Sequence, residues 1–449
     1  MNISYNKTIE VRYTADVFVA GGGPAGIAAA ISCARQGKKV FLAESFSAFG
    51  GAAVTMLVPG FSVFTDGVNF LSSGIGKEVY DRLKEEAYPR YKRYCPRSIP
   101  VETLKVIYDD MVSDSKVKYL FHSNVIDSVV EKGSIEYVIC SCKGSIFAVK
   151  ADIYIDCTGD GDLAYYSNAD YEFGDKNGLV MAATLCGIWS GIDWDNVKLP
   201  DGRCLDKAFS DKVFTNEDRH HPGMWRIAQQ TQNSQGLNNS DGIGGSNVGH
   251  IYGIDSTNSE SLTEGIVKGR HQLKEYRKYY KEYLSGFENC ELICSASYLG
   301  IRESRRITCD YRLTIDDFKS RASFQDEIGR YCYGIDIHSA TNDKEGYDKF
   351  ISEYTSLRYA KGESYGIPYR SLAVKGIANL LTAGRCICTD RYMQSSIRVM
   401  PGCFITGQAA GIAAAILCED KEYDVHKADI KKIQKRLVSS GAYLPNYKV

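Results

Sequence analysis

Six residues near the start of the chain, Gly21-Gly22-Gly23-Pro24-Ala25-Gly26, constrain its fold more than any other segment. They spell G-x-G-x-x-G between a short apolar run, Asp16–Ala20 (DVFVA), and an alanine-rich stretch, Pro24–Arg35. A strand entering that turn and a helix leaving it are the context in which the motif binds a dinucleotide. Gly21 permits the sharp turn, Gly23 lets the backbone approach a pyrophosphate, and Gly26 lets the helix pack closely on the strand. The helix start at Pro24 and Ala25 offers partial positive charge to the anion and, from Ala25 onward, unpaired N–H groups. Gly37 stops the helix, and Lys39–Ala43 (KVFLA) reads as a second buried strand. That strand ends at Glu44, 18 residues after Gly26 and followed by Ser45. An acid there accepts hydrogen bonds from the adenosine ribose hydroxyls.

NAD and FAD share this grip, so the turn alone does not choose between them. Two further features favour FAD. Gly50-Gly51 follows Glu44 closely and places bare backbone beside the adenine end of a long cofactor. Asp156–Asp162 (DCTGDGD), with Thr158 and Gly159, ends another predicted strand, and Ala383-Gly384-Arg385 ends a third. Strand-end glycines are where a sheet of this type meets its ligand.

The rest of the chain supports an α/β architecture. Thr103–Ser113 reads as a helix. From Val117 to Ile155 the pattern is a small antiparallel meander, broken at Lys132-Gly133 and Lys143-Gly144, that returns to a buried strand. The segment from Gly74 to Pro100 reads as polar and Tyr-rich. Residues 169–366 lose the parallel rhythm, and their long helical pattern lies near Leu262–Leu284. The run KEYRKYYKEY (Lys274–Tyr283) reads as an amphipathic helix with tyrosines inward rather than a nucleic-acid surface, since Glu275 and Glu282 dilute its charge. Strand and helix return at Asn379–Ala383 and Gly402–Leu417. The expected organisation is a Rossmann-type FAD-binding domain from residues 1–168 and 367–449, with residues 169–366 inserted as an α+β substrate cap.

Composition narrows the function. Lys plus Arg is 54 and Asp plus Glu 55, a net charge of −1, which argues against a whole-chain grip on nucleic acid. The 15 cysteines are odd in number and lack C-x-x-C or tetrahedral ligand spacing, so the expectation is reduced thiols in a cytoplasmic protein with no bound metal. The N-terminus has no apolar core of a secretory signal. The longest apolar stretch, Cys403–Cys418, contains Gln408 and is short for a bilayer; Gly407 and Gly411 fit a helix packed closely on a neighbour.

Several of these segments together resemble the FAD-dependent oxidoreductases of the glutathione-reductase-like flavoprotein superfamily. They are Asp16–Glu44, FGGAAVTMLVPGF (Phe49–Phe61), DCTGDGDLA (Asp156–Ala164), LGIRESRRI (Leu299–Ile307), YGIDIH (Tyr333–His338), GIPYRSL (Gly366–Leu372), NLLTAGRCIC (Asn379–Cys388) and SIRVMPGCFITGQAAGIAAA (Ser396–Ala415). The resemblance implies bound FAD, with Glu44 on the adenosine ribose. It assigns the ribityl and flavin region to Gly384, Arg385 and the segment Arg398-Val399-Met400-Pro401-Gly402, where the last helix points its N-terminus at the flavin. Gly402, Ser395 and Arg391 depart from the family's commoner Thr, Gly and His.

No second G-x-G-x-x-G follows a strand; Gly242-Ile243-Gly244-Gly245 comes nearest. No cysteine pair follows Gly50-Gly51, so a disulfide relay lacks its dithiol. Direct hydride transfer from a small polar substrate, a sugar, hydroxy acid or amine, to FAD is the expected reaction. The alternative is an electron-transfer subunit serving a redox partner, which would show ferredoxin-like cysteine clusters. Arg302 with Arg305 or Arg306, at helical spacing, would clamp a carboxylate or a hydroxyl-rich substrate. Among His220, His221, His250 and His338, the candidate base is His338 and then His250.

Overall fold

The computed structural model describes residues 3, 6–87, 98–197, 202–215 and 242–447. Its central sheet has five parallel strands: β1 (Val17–Ala20), β2 (Val40–Ala43), β3 (Lys118–Leu120), β4 (Ile153–Asp156) and β5 (Leu380–Thr382), in the order β5-β4-β1-β2-β3. β1, β2, β4 and β5 are buried on both faces, which is why they read as continuous apolar runs. The register pairs Ala20 with Ala43 and Asp156, and Asp156 with Thr382. Four strands therefore end together on one edge, although β5 lies more than 220 residues downstream of β4.

Helix α1 (Pro24–Ala34) leaves β1 directly and covers one face of the sheet. A second element, assembled from Ser123–Glu131, Ser134–Cys142 and Ser145–Lys150, is the expected antiparallel meander. It gains a fourth strand, Glu10–Thr14, that pairs parallel with Ser145–Lys150 and was not evident in the sequence. Part of the Tyr-rich stretch is also helical, over Ile75–Ala87; its apolar positions recur at helical spacing among charges that mask the pattern.

The middle of the chain builds a second hydrophobic core between Ala183 and Ile301. A three-stranded antiparallel sheet, Gly244–Ser246, Gly187–Ser190 and Glu291–Ser295, packs with helix α2 (Ser259–Tyr283). Asn258 caps α2 by accepting from the Ser261 N–H, and Leu273, Tyr276, Tyr279 and Tyr280 are buried along one side. The tyrosines of the basic run thus face the core. Leu313, Phe318, Ile328, Tyr331, Ile367 and Leu372 instead join the core formed by the first and last segments.

Helix α3 (Met400–Asp420) closes the molecule against α1. A Cβ on Gly407 would stand 2.1 Å from the Ala25 carbonyl oxygen, and one on Gly411 would stand 2.2 Å from that of Ala29. Only hydrogen at these positions lets the two helices approach so closely. α3 is long and apolar enough to cross a membrane, yet 94% of its apolar window is buried inside the protein.

LGIRESRRI departs from the expected helical spacing. Arg305–Ile307 is a strand paired with Tyr171–Phe173, and the residues before it are irregular. Arg302, Arg305 and Arg306 therefore do not share a helix face.

Candidate active site

A cleft of about 400 Å³ opens where the parallel strands end. Gly21, Gly23, Pro24, Ala25, Glu44, Ser45, Gly51, Thr158, Gly159, Gly384, Arg385, Arg398, Val399 and Met400 all line it. Gly26, Gly50 and Gly402 do not; each is a packing glycine. A Cβ on Gly26 would sit 1.8 Å from the Gly21 carbonyl oxygen, one on Gly50 2.5 Å from Val54, and one on Gly402 2.5 Å from the Ile397 carbonyl oxygen.

Gly23 is different. Among the described residues a Cβ there would meet nothing closer than the Gly51 Cα at 4.0 Å, so none of these neighbours requires glycine. The space it leaves belongs to the cleft. Gly23 is also the N-cap of α1, with no side-chain cap and no acid in the first turn. Those free N–H groups and the bare Gly23–Gly51 wall fit the diphosphate of a dinucleotide. Glu44 is buried beside them: its Oε2 accepts from the Gly22 N–H at 2.5 Å and its Oε1 from the Phe46 N–H at 2.8 Å. Burial raises its pKa, and the backbone N–H donors oppose that rise. Both oxygens keep a lone pair for a ribose hydroxyl.

The strand-end loops are pinned from below. Asp156, fully buried at the end of β4, accepts from the N–H and hydroxyl of Thr158 and from the Ala164 N–H. Arg385 pairs with Asp160 at 2.9 Å and donates to Ser304. The Gly384 N–H donates to the Thr406 hydroxyl at 3.0 Å, tying β5's loop to α3. The sequence placed Asp156 at this strand end but not its hold on the loop, because its side chain faces inward and that role depends on loop closure.

The other wall comes from the second core and its edge: Asn247, Tyr298, Gly300, Ile301 and Arg302. Arg302 is 7% exposed and donates to the Ala182 carbonyl, the Thr184 hydroxyl and the Asn247 side-chain oxygen. Burial and the neighbouring Arg398 lower its pKa to about 10. Arg305 points elsewhere, to Asp162 at 2.8 Å and the Asp160 carbonyl, stacked on Tyr165. Arg306 forms an ion pair with Glu303 at 2.7 Å.

His338 and His250 meet. Their Nδ1 and Nε2 atoms lie 2.9 Å apart, and His338 Nε2 is 3.4 Å from Asp336. Asp336 also accepts from Tyr333 and from Arg398. Burial, then Arg302, pushes His338 down to about 4. Burial would raise the Asp336 carboxyl, but His338, Arg398 and Arg302 hold it well below the usual range. Neither imidazole lines the cleft; Arg302 and Arg398 are the members of this network that do. Asp336 was missed in the sequence, although the alternation in IDIH puts it on the same side as His338. His220 and His221 lie outside the described residues.

Among the described residues no group of His, Cys, Asp and Glu is arranged to hold a metal, and every described cysteine is a free thiol.

Residues 16–437 match the family described as FAD dependent oxidoreductase. The chain belongs to that family. Its cofactor is accordingly FAD, and the cleft's free helix N-terminus, bare Gly23 and buried Glu44 fit it. No curated protein matches the chain. Solved structures similar to it include a geranylgeranyl bacteriochlorophyll reductase-like protein from Thermoplasma acidophilum, 11% identical, with a TM-score of 0.47 over 95% of this chain and 87% of that one. A flavin-dependent brominase is 12% identical, with a TM-score of 0.44 over 95% and 83%. A p-nitrophenol 4-monooxygenase from Pseudomonas putida is 12% identical, with a TM-score of 0.41 over 95% and 84%.

Proposed function

We propose that this member of the family oxidises a small polar molecule, a sugar, hydroxy acid or amine, by hydride transfer to non-covalently bound FAD. The observation that carries the reading is the two-sided cleft. One wall holds Gly21, Gly23 and Glu44; the other holds Asn247, Tyr298, Ile301 and Arg302 from the second core. In this reading the structure around that core, within residues 169–366, is the substrate cap. The nearest approach to a second dinucleotide turn, Gly242-Ile243-Gly244-Gly245, runs into a strand of the antiparallel sheet and not into a helix, which supports a direct substrate over a nicotinamide donor.

When bound, FAD supplies a hydride acceptor. Arg302 and Asn247 orient the substrate against the cofactor wall, and Tyr298 and Ile301 exclude water. His338 or His250, which stand behind Arg302 and Arg398 and not on the cleft wall, would receive the hydroxyl or amine proton through an intervening water as the C–H bond breaks. His338 suits this work because, held near 4, it is neutral at pH 7 and able to gain a proton. Asp336 stays ionised and offsets the imidazolium that forms. Arg305, committed to Asp162, takes no part in substrate binding.

Anaerobic flavin reduction followed by stopped-flow absorbance tests the reading. His338→Ala should slow reduction by the substrate by about 10²–10⁴ while FAD content is unchanged. The parent's rate should stay level from about pH 8 down to about pH 5 and fall below that as His338 is protonated, because the base form is lost as pH drops through its pKa of about 4. Reduction by NADH alone at catalytic speed would remove the direct-substrate reading. Parent-like rates in both His338→Ala and His250→Ala would remove the base assignment.

A further inference from the structure

Two guanidiniums reach the cleft wall with too few acceptors. Arg302 is nine-tenths buried, and its three acceptors, on Ala182, Thr184 and Asn247, are all neutral. Arg398 donates through Nη2 to the main-chain and side-chain oxygens of Asp336, at 3.2 and 3.4 Å, while its buried Nε has no hydrogen-bond partner among the described residues. Among the described residues, Asp336 is the only carboxylate hydrogen-bonded to either guanidinium. His338 is neutral at pH 7. Two positive charges thus stand against one negative charge. A buried cation without an ionic partner is costly, and the cost is relieved when an anion enters. The N-terminus of α3, with Val399 and Met400 on the same cleft and no side-chain cap, adds positive potential.

Resting on the reading of this cleft as the substrate chamber, we infer that the substrate bears a carboxylate, held by Arg302 from one side and Arg398 from the other. Planar guanidiniums match a carboxylate better than a hydroxyl, because two N–H donors meet two oxygens. The inference narrows the substrate to a hydroxy or amino acid and excludes a neutral sugar. It also makes Arg398, and not Arg305, the partner of Arg302.

The FAD-loaded protein can be titrated with acetate, glycolate and succinate and with their amides, following the perturbation of the flavin absorbance. At least one carboxylate should bind tenfold or more tightly than its amide. Arg302→Met and Arg398→Met should each erase that preference with FAD content unchanged, and the corresponding lysine variants should bind more tightly than the methionine variants. Equal affinity for acid and amide, or no binding of any acid, would overturn the clamp. Loss of FAD from the variants would reassign the arginines to the cofactor diphosphate. A lowered flavin potential with unchanged carboxylate binding would reassign them to the reduced flavin. Either result overturns the proposal. If carboxylates bind through the arginines but no hydroxy or amino acid reduces the flavin, the clamp stands and the oxidation reading fails.

Discussion

At the scale of single residues, the three glycines of the dinucleotide turn have separate jobs. Gly21 has φ of +90°, in the left-handed region, and a Cβ there would meet the Cys157 carbonyl oxygen at 2.7 Å. Gly26 packs against Gly21. Gly23 faces open cleft. Substitution should separate these roles. Gly23→Val should leave the fold intact and empty the cofactor site, because the new methyl groups occupy the diphosphate's space. Gly26→Ala should lower stability by about 1–3 kcal/mol or more, because Cβ cannot coexist with the Gly21 carbonyl oxygen. The FAD-to-protein absorbance ratio and the thermal midpoint together distinguish the two effects. Full FAD occupancy in Gly23→Val would refute the role given to that residue. The turn was legible from the sequence because its chemistry is local. Asp336 was not, because its importance comes from Arg398, Tyr333 and His338, which only the fold brings to it.

At the scale of elements, the seam between α1 and α3 controls the cleft. Both helices present their N-termini to it, so their spacing sets the distance between the two positive ends. Gly411→Leu should force the helices apart, destabilise the protein by about 1–3 kcal/mol or more and weaken FAD retention. Differential scanning calorimetry and FAD release on dilution would measure the two effects; unchanged values of both would show that the close approach is dispensable. The small residues of α3 announced a closely packed helix in the sequence. Its partner was not announced, because Ala25 and Ala29 lie nearly 400 residues away. LGIRESRRI shows the opposite case. Helical spacing of its arginines was a reasonable local reading, but pairing of Arg305–Ile307 with Tyr171–Phe173 overrides it and sends alternate side chains to opposite faces.

At the scale of the whole molecule, the chain returns to its first domain at its end. β5 pairs with β4 in the central sheet, and α3 packs on α1. A fragment ending at Gly366 lacks both β5 and α3 and should not bind FAD; a stable yellow 1–366 protein would contradict that expectation. Strand type, the cofactor turn and its acid, and the inward face of the Tyr-rich helix were all determined by the sequence. Each depends on neighbours within about one turn, one strand or one loop, where backbone geometry and side-chain period act directly. The tertiary structure decided the rest. It joined the Leu313–Leu372 region to the first core, set Arg302 and Arg398 on one cleft, turned Arg305 away, and joined His250 to His338. Those outcomes depend on pairings across tens to hundreds of residues. They are settled by which buried charges and hydrogen bonds can be satisfied together, and no local pattern carries that information.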